Sequence, residues 1–163
     1  MAPDKTPSRP RQPRQSLRPL KTTPQPTDAY DIAYFRRHRD DDPDEPMPGR
    51  VFIASCPTPV QAKLVAVLIA VAAAPPLRFS GGGFSEAMHD RMTGYHEIRV
   101  DGAQRRHYRL FCKLDTAALG RGPLLTVLCG ASKPFRTEFP EAVYDHVLDL
   151  GHEYLSRNPR SLV

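Results

Sequence analysis

Three cysteines are too few for a disulfide-held scaffold. Cys56, Cys112 and Cys129 form no CxxC pair and no grouping with histidine that would hold zinc. Cys112 and Cys129 fall inside predicted strands, where a reduced thiol behaves as a small core residue, so cysteine usage suits a reducing cytoplasm. Long apolar runs are also missing. The most apolar stretch, LVAVLIAVAAA at 64–74, has eleven residues before Pro75-Pro76, against the roughly 20 that a membrane span needs. It reads as a buried helix, and no membrane role is expected. The basic beginning of the chain has no apolar stretch behind it and does not read as a secretory signal. Glycine gathers in SGGGF at 80–84 without the GxxxxGK[ST] spacing or preceding strand of a phosphate cradle, so a hinge or plain loop is expected. DDDPDEP at 40–46 lacks the glycine and spacing of a calcium loop and reads as a solvated, proline-broken loop. No metal, no cofactor and no internal repeat is expected.

Proline and positive charge are plentiful but unevenly placed. Seven of the 18 prolines lie in residues 1–27. Six of the 23 basic residues and one of the 18 acidic residues lie there too, leaving seventeen of each for residues 28–163. The net charge of +5 therefore belongs to this segment, and the remainder is neutral. A Pro- and Arg-rich stretch with two scattered leucines cannot bury enough apolar surface to offset its ordering entropy. Residues 1–27 are expected to be a disordered tail, either an electrostatic arm for RNA or another polyanion or a solvated leader. Residues 28–163 are expected to form one domain.

Within that domain AYDIAYFRR (29–37) suggests a first strand, and VFIAS (51–55) a second. Thr58 and Pro59 mark a helix start, with the hydroxyl as N-cap; the helix VQAKLVAVLIAVAAA is apolar nearly all round and should lie against a sheet. Strands follow over 95–101, 106–114 and 123–130, the first two joined at Asp101-Gly102. A final helix over roughly 138–156 places Val143, Val147, Leu150 and Tyr154 at helical spacing and stops before Asn158-Pro159. The expected class is α+β: a small twisted antiparallel sheet packed by helices on one face.

Alternation then sorts the side chains. On 95–101, His96, Ile98 and Val100 share one face, and Tyr95, Glu97, Arg99 and Asp101 the other. On 106–114, Tyr108, Leu110, Cys112 and Leu114 are the apolar set, and His107, Arg109, Phe111 and Lys113 the polar one. Glu97 and Arg99 should therefore sit beside His107 and Arg109 on an open face, with Lys133 closing it from the turn after the third strand. Ion-paired solvated strands and a reaction site both have this composition, and the residues alone favour neither.

The motifs GYHEIRV, HYRLFCKLD and LLTVLCGASKPF, in that order, resemble the serial pattern of the RelE/ParE toxin superfamily, especially its phage-derived, HigB-like branch. The resemblance covers about residues 28–157 and is sharpest over 94–136. It implies a RelE-like α+β fold and the toxin component of a type II toxin-antitoxin system. The activity it implies is that of an mRNA endoribonuclease, metal-independent, acting by 2′-OH attack on the phosphate. By position, Glu97 matches the strand glutamate, Arg99 the arginine after it, Arg109 the arginine of the Tyr-Arg strand, and Lys133 the basic residue of the turn. Such chemistry needs a base for the 2′-OH, charge stabilisation for the phosphorane, and a proton for the leaving 5′-oxygen. Glu97 would be the base, Arg99 and Arg109 the phosphate clamps, and Lys133 or His107 the acid or a further electrostatic support. The implied partners are a cognate antitoxin, expected to be a small helix-turn-helix protein, and mRNA, on or off the ribosome. Two alternatives stand beside it: a gyrase-inhibiting ParE-like toxin, and a non-catalytic phage-derived interaction protein.

Overall fold

A computed structural model describes residues 29–74 and 83–163. The expected tail over 1–27, the Pro75-Pro76 helix stop and the first three residues of SGGGF lie outside the described residues. The elements run β1 (Asp31–Tyr34), α1 (Pro48–Ser55), α2 (Thr58–Ala73), β2 (Ser85–Ala87), a 3-10 turn (Asp90–Met92), β3 (Tyr95–Gly102), β4 (Arg106–Asp115), β5 (Leu124–Pro134) and α3 (Glu141–Leu155). The strands form one five-stranded sheet in the order β1-β5-β4-β3-β2.

The class is α+β. The sheet is antiparallel from β2 to β5, but β1 lies parallel to β5, so it is mixed rather than wholly antiparallel. The connection between these two parallel neighbours includes α1 and α2, as a parallel pair requires a crossover.

VFIAS is not a strand. It is the body of α1, which carries proline in its first turn. A five-residue apolar run does not by itself separate strand from buried helix; packing decides it. A Cβ on Gly130 of β5 would run into the Phe52 ring, and one on Gly49 would meet Val127 Cγ1 at 2.6 Å. Two glycines thus let α1 lie close against β5. Helix α2 begins at Thr58 with Pro57 as N-cap, and no side chain caps it, so Thr58 is a first-turn residue and not the cap.

The hairpin turn also differs from expectation. Gly102 pairs with Arg106 inside the ladder, so the turn is Ala103–Arg105, with Arg105 at φ 55°. A three-residue hairpin loop ending in a left-handed residue is a common solution. Strand β5 runs on through Pro134, four residues beyond the expected end.

Both faces of the sheet are covered, not one. Leu64, Leu68 and Val71 of α2 bury against Ile98, Val100, Leu110, Cys112, Leu125 and Val127. On the opposite face Val147, Leu150 and Tyr154 of α3 bury against Tyr95, Phe111, Leu128 and Cys129. The amphipathic stripe of α3 needs an apolar partner, and the Tyr95–Phe111 end of the second face supplies it. The three cysteines are free and buried; burial pushes the Cys129 thiol up to about 12. The apolar character of α2 exceeds what the sheet can cover, leaving Val65 and Ile69 exposed on its outer side. Among the described residues no helix is long and apolar enough to cross a membrane.

Candidate functional site

Alternation places the charged residues as expected, and the ladder fixes their mutual distances. Arg99 of β3 stands directly opposite Arg109 of β4, Asp101 opposite His107, and Glu97 opposite Phe111. Two guanidiniums facing each other repel, and three carboxylates interleaved with them offset this. Glu97 Oε1 accepts from Arg109 Nε at 2.7 Å, and Glu97 Oε2 lies 3.7 Å from Arg99. Arg99 also pairs closely with Glu86 of β2, which faces Glu97 across the β2–β3 ladder. Asp101 Oδ1 lies 3.6 Å from Arg109 and 2.6 Å from His107 Nδ1. Glu97, Arg99, Arg109 and His107 are thus joined in one continuous network.

The face is not open to solvent along its length. Arg109 is only 8% exposed, and its Nη1 donates to the carbonyl of Tyr108 at 3.0 Å. The Glu97 side chain is 15% exposed. The expectation of two solvent-facing side chains is therefore corrected. The cause is α3, whose docking on Tyr95 and Phe111 brings its first turns alongside Glu97. An exposed strand ion pair contributes about 0–1 kcal/mol; a largely buried pair is costly to break because one desolvated charge is left behind.

His107 lies at the far end of the network. Its ring stacks on Phe135 with centroids 4.4 Å apart, and its contact with Asp101 fixes the ring edge. Burial pushes the Asp101 carboxyl up, but the His107 hydrogen bond, the His107 charge and Arg109 outweigh it and hold the group below its usual value.

Lys133 is not in a turn. It sits on β5 opposite His107, with Nζ 4.7 Å from the centre of the Phe139 ring. A bulge accounts for its face. Phe111 pairs with Cys129 while Cys112 pairs with Val127, so Leu128 is an extra residue and alternation reverses beyond it. Without that residue Lys133 would point with Val127 toward α2. The bulge brings it to the His107 side, although its cation rests on Phe139 and makes no ion pair with the Glu97–Arg109 cluster.

Two clefts flank the network. One, of about 570 Å³, lies between α2 and the part of β3 beyond its pairing with β2 and is lined by Lys63, Val67, Phe84, Arg99, Asp101 and Arg109 among others. The other, of about 420 Å³, lies between the β2 region and α3, with Glu86, Glu97, Arg99 and Tyr144 in its lining. Burial, followed by the negative field of Glu97, Glu138 and Glu141, raises the Tyr144 hydroxyl above its usual value, so it stays protonated beside Glu97. Glu86, Tyr144, Phe84 and Lys63 were not legible as site residues. Strand β2 has three residues and no periodicity to read, and the helix residues reach the site only through packing.

Chemically, the arrangement offers a carboxylate, Glu97, held between two guanidiniums, with a phenol and an imidazole at opposite ends. Both guanidiniums already hold carboxylates, so an incoming phosphate would share or displace Glu86 and Asp101. Among the described residues no group of three or more His, Cys, Asp and Glu side chains stands where it could hold a metal ion. Compared with protein-family models, with curated proteins and with solved structures, the chain matches none.

Proposed function

We propose that the protein is a RelE/ParE-like toxin acting as an mRNA endoribonuclease in the cytoplasm, with a cognate antitoxin as its protein partner. The observation that supports this best is the placement of Glu97, Arg99 and Arg109 as neighbours on the two central hairpin strands, with Glu97 2.7 Å from Arg109. These are the residues that the motif resemblance assigns to base and phosphate clamps. Glu97 takes the proton of the 2′-OH as the 2′-oxygen attacks phosphorus. Arg99 and Arg109 stabilise the charge on the phosphorane. The P–O5′ bond then breaks, leaving a 2′,3′-cyclic phosphate and a 5′-oxygen that must be protonated. His107 lies two residues from Arg109 on the same strand face, and Tyr144 shares the second cleft with Glu97; either can supply that proton. Lys133 is removed from direct contact by its position on Phe139 and acts through its field.

One observation favours a protein-binding activity instead. The outer side of α2 exposes Val65 and Ile69, the latter 57% exposed, and exposed apolar surface of this kind marks interaction sites. A gyrase-inhibiting toxin or a non-catalytic interaction protein would use such a surface and would need no chemistry at Glu97. Induced expression in bacterial cells, with growth and mRNA integrity followed together, separates the two. Growth arrest with mRNA cleavage, both lost in Glu97→Gln, supports the ribonuclease. Arrest without cleavage, retained in Glu97→Gln, supports protein binding.

A further inference from the structure

The cleft between α2 and the β3 edge is built differently from the rest of the charged face. Strand β2 ends the sheet opposite Ile98, and its backbone continues one step so that the Phe84 carbonyl accepts the Arg99 amide at 2.9 Å. Beyond that point β3 has no further strand neighbour among the described residues, and the cleft opens there. Extending the register sets Phe84 opposite Arg99, so their side chains share a face. Phe84 is 51% exposed.

The cleft is lined by more cations than carboxylates. Lys63, Arg99 and Arg109 line it with one carboxylate, Asp101, which is engaged with His107. Arg99 also pairs with Glu86 and Arg109 with Glu97 outside the lining, so an anion in the cleft shares Arg99 with Glu86. Arg99 Nε is buried and has no hydrogen-bond partner among the described residues, a donor that a ligand oxygen would satisfy. The other wall is apolar, formed by Ala66, Val67 and Val100 with Phe84 at the mouth. At about 570 Å³ the space suits a small organic ligand and exceeds what an inorganic anion fills.

We propose that this cleft is a nucleotide subsite. It takes one nucleotide of an RNA strand, with the phosphate on Arg99 and Lys63 and the base against the Phe84 ring. The identity of the strand as RNA rests on the ribonuclease function proposed above; the recognition of a phosphate joined to a planar base rests on the cleft alone. Two permanent kinds of contact are combined there. A guanidinium grips two phosphate oxygens, and an aromatic face accepts any base by stacking.

The experiment titrates the full chain with inorganic phosphate and with each of the four ribonucleoside 3′-monophosphates, followed by calorimetry and by amide shifts. Mononucleotides are expected to bind about tenfold or more tightly than phosphate, since stacking adds to the anion contact. Phe84→Ala should erase that difference, and Lys63→Ala should weaken phosphate and nucleotides alike; both side chains are exposed enough to leave folding intact. Equal binding of phosphate and nucleotides, binding of neither, or nucleotide affinity unchanged in Phe84→Ala would overturn the subsite. The two proposals fail separately. Nucleotide binding as expected in a chain that cuts no RNA removes the nuclease and leaves the subsite, whereas RNA cleavage unaltered in Phe84→Ala and Lys63→Ala removes the subsite and leaves the nuclease.

Discussion

Glu97 on β3 and Arg109 on β4 are held 2.7 Å apart across the central ladder, and both are largely withdrawn from water. The pair lies on the face that α3 partly covers, between Phe111 on one side and Asp101 on the other. This burial changes what substitutions there will do. A charge left without its partner in such a place is expensive, so tests of chemistry must separate lost activity from lost fold.

Arg109→Ala should accordingly destabilise the protein, by up to about 3–5 kcal/mol, because the Glu97 carboxylate then keeps only its longer contact with Arg99. Arg109→Lys keeps the charge but loses the planar fork that serves Glu97 and the Tyr108 carbonyl together. It should cost less. Urea unfolding of the two variants checks the order; equal stability of Arg109→Ala and the parent protein would show that the pair is effectively solvated.

Gly151 on α3 faces Tyr95. Alanine is the better helix former by about 1 kcal/mol, which by itself predicts stabilisation. A Cβ there would, however, run into the Tyr95 hydroxyl and ring, and overpacking a buried aromatic costs typically about 1–3 kcal/mol. The clash should win, and Gly151→Ala should lower the melting temperature. A rise would mean that α3 can lift from the sheet without loss.

Asp115 sets the behaviour in acid. It is buried and accepts from Tyr154 Oη, Arg160 Nε and the Ala117 amide, each at 2.8 Å. Burial pushes its carboxyl up, but the hydrogen bonds from Arg160, Tyr154 and Ala117 and the Arg160 charge outweigh this, and the group lies below its usual value of 3.8. A carboxyl lowered on folding contributes stability that is present above its unfolded value and is lost as pH falls through its folded value. Stability should therefore drop below about pH 4, and Asp115→Asn should flatten that drop while lowering stability at neutral pH. Denaturation curves between pH 2 and about 7 measure both; an unchanged acid slope in Asp115→Asn would place the titrating group elsewhere.

Much of this architecture was legible from alternation. The parity of 95–101 and 106–114 placed Glu97, Arg99, His107 and Arg109 on one face, and the helical spacing of Val147, Leu150 and Tyr154 gave α3. What escaped has definite physical causes. VFIAS is too short to carry a period, and close packing through Gly49 and Gly130 makes it a helix. The extra residue at Leu128 reverses alternation in β5, so the side on which Lys133 stands follows from hydrogen-bond pairing and not from composition. Glu86 comes from a strand of three residues. The covering of the second face depends on where α3 docks, which no local pattern states.

The most direct test follows the products of RNA cut by the purified full chain in the presence of EDTA, with and without ribosomes. Fragments should end in 2′,3′-cyclic phosphate and 5′-hydroxyl. Glu97→Gln should slow cleavage by about 10²–10⁴, and Arg99→Ala by about 10²–10³, with circular dichroism showing both variants folded at the assay temperature. The melting temperature of Glu97→Gln should fall, because Arg109 loses its nearest carboxylate. Intact RNA under every condition, or cleavage at the parent rate by folded Glu97→Gln and Arg99→Ala proteins, would contradict a reaction site on this face.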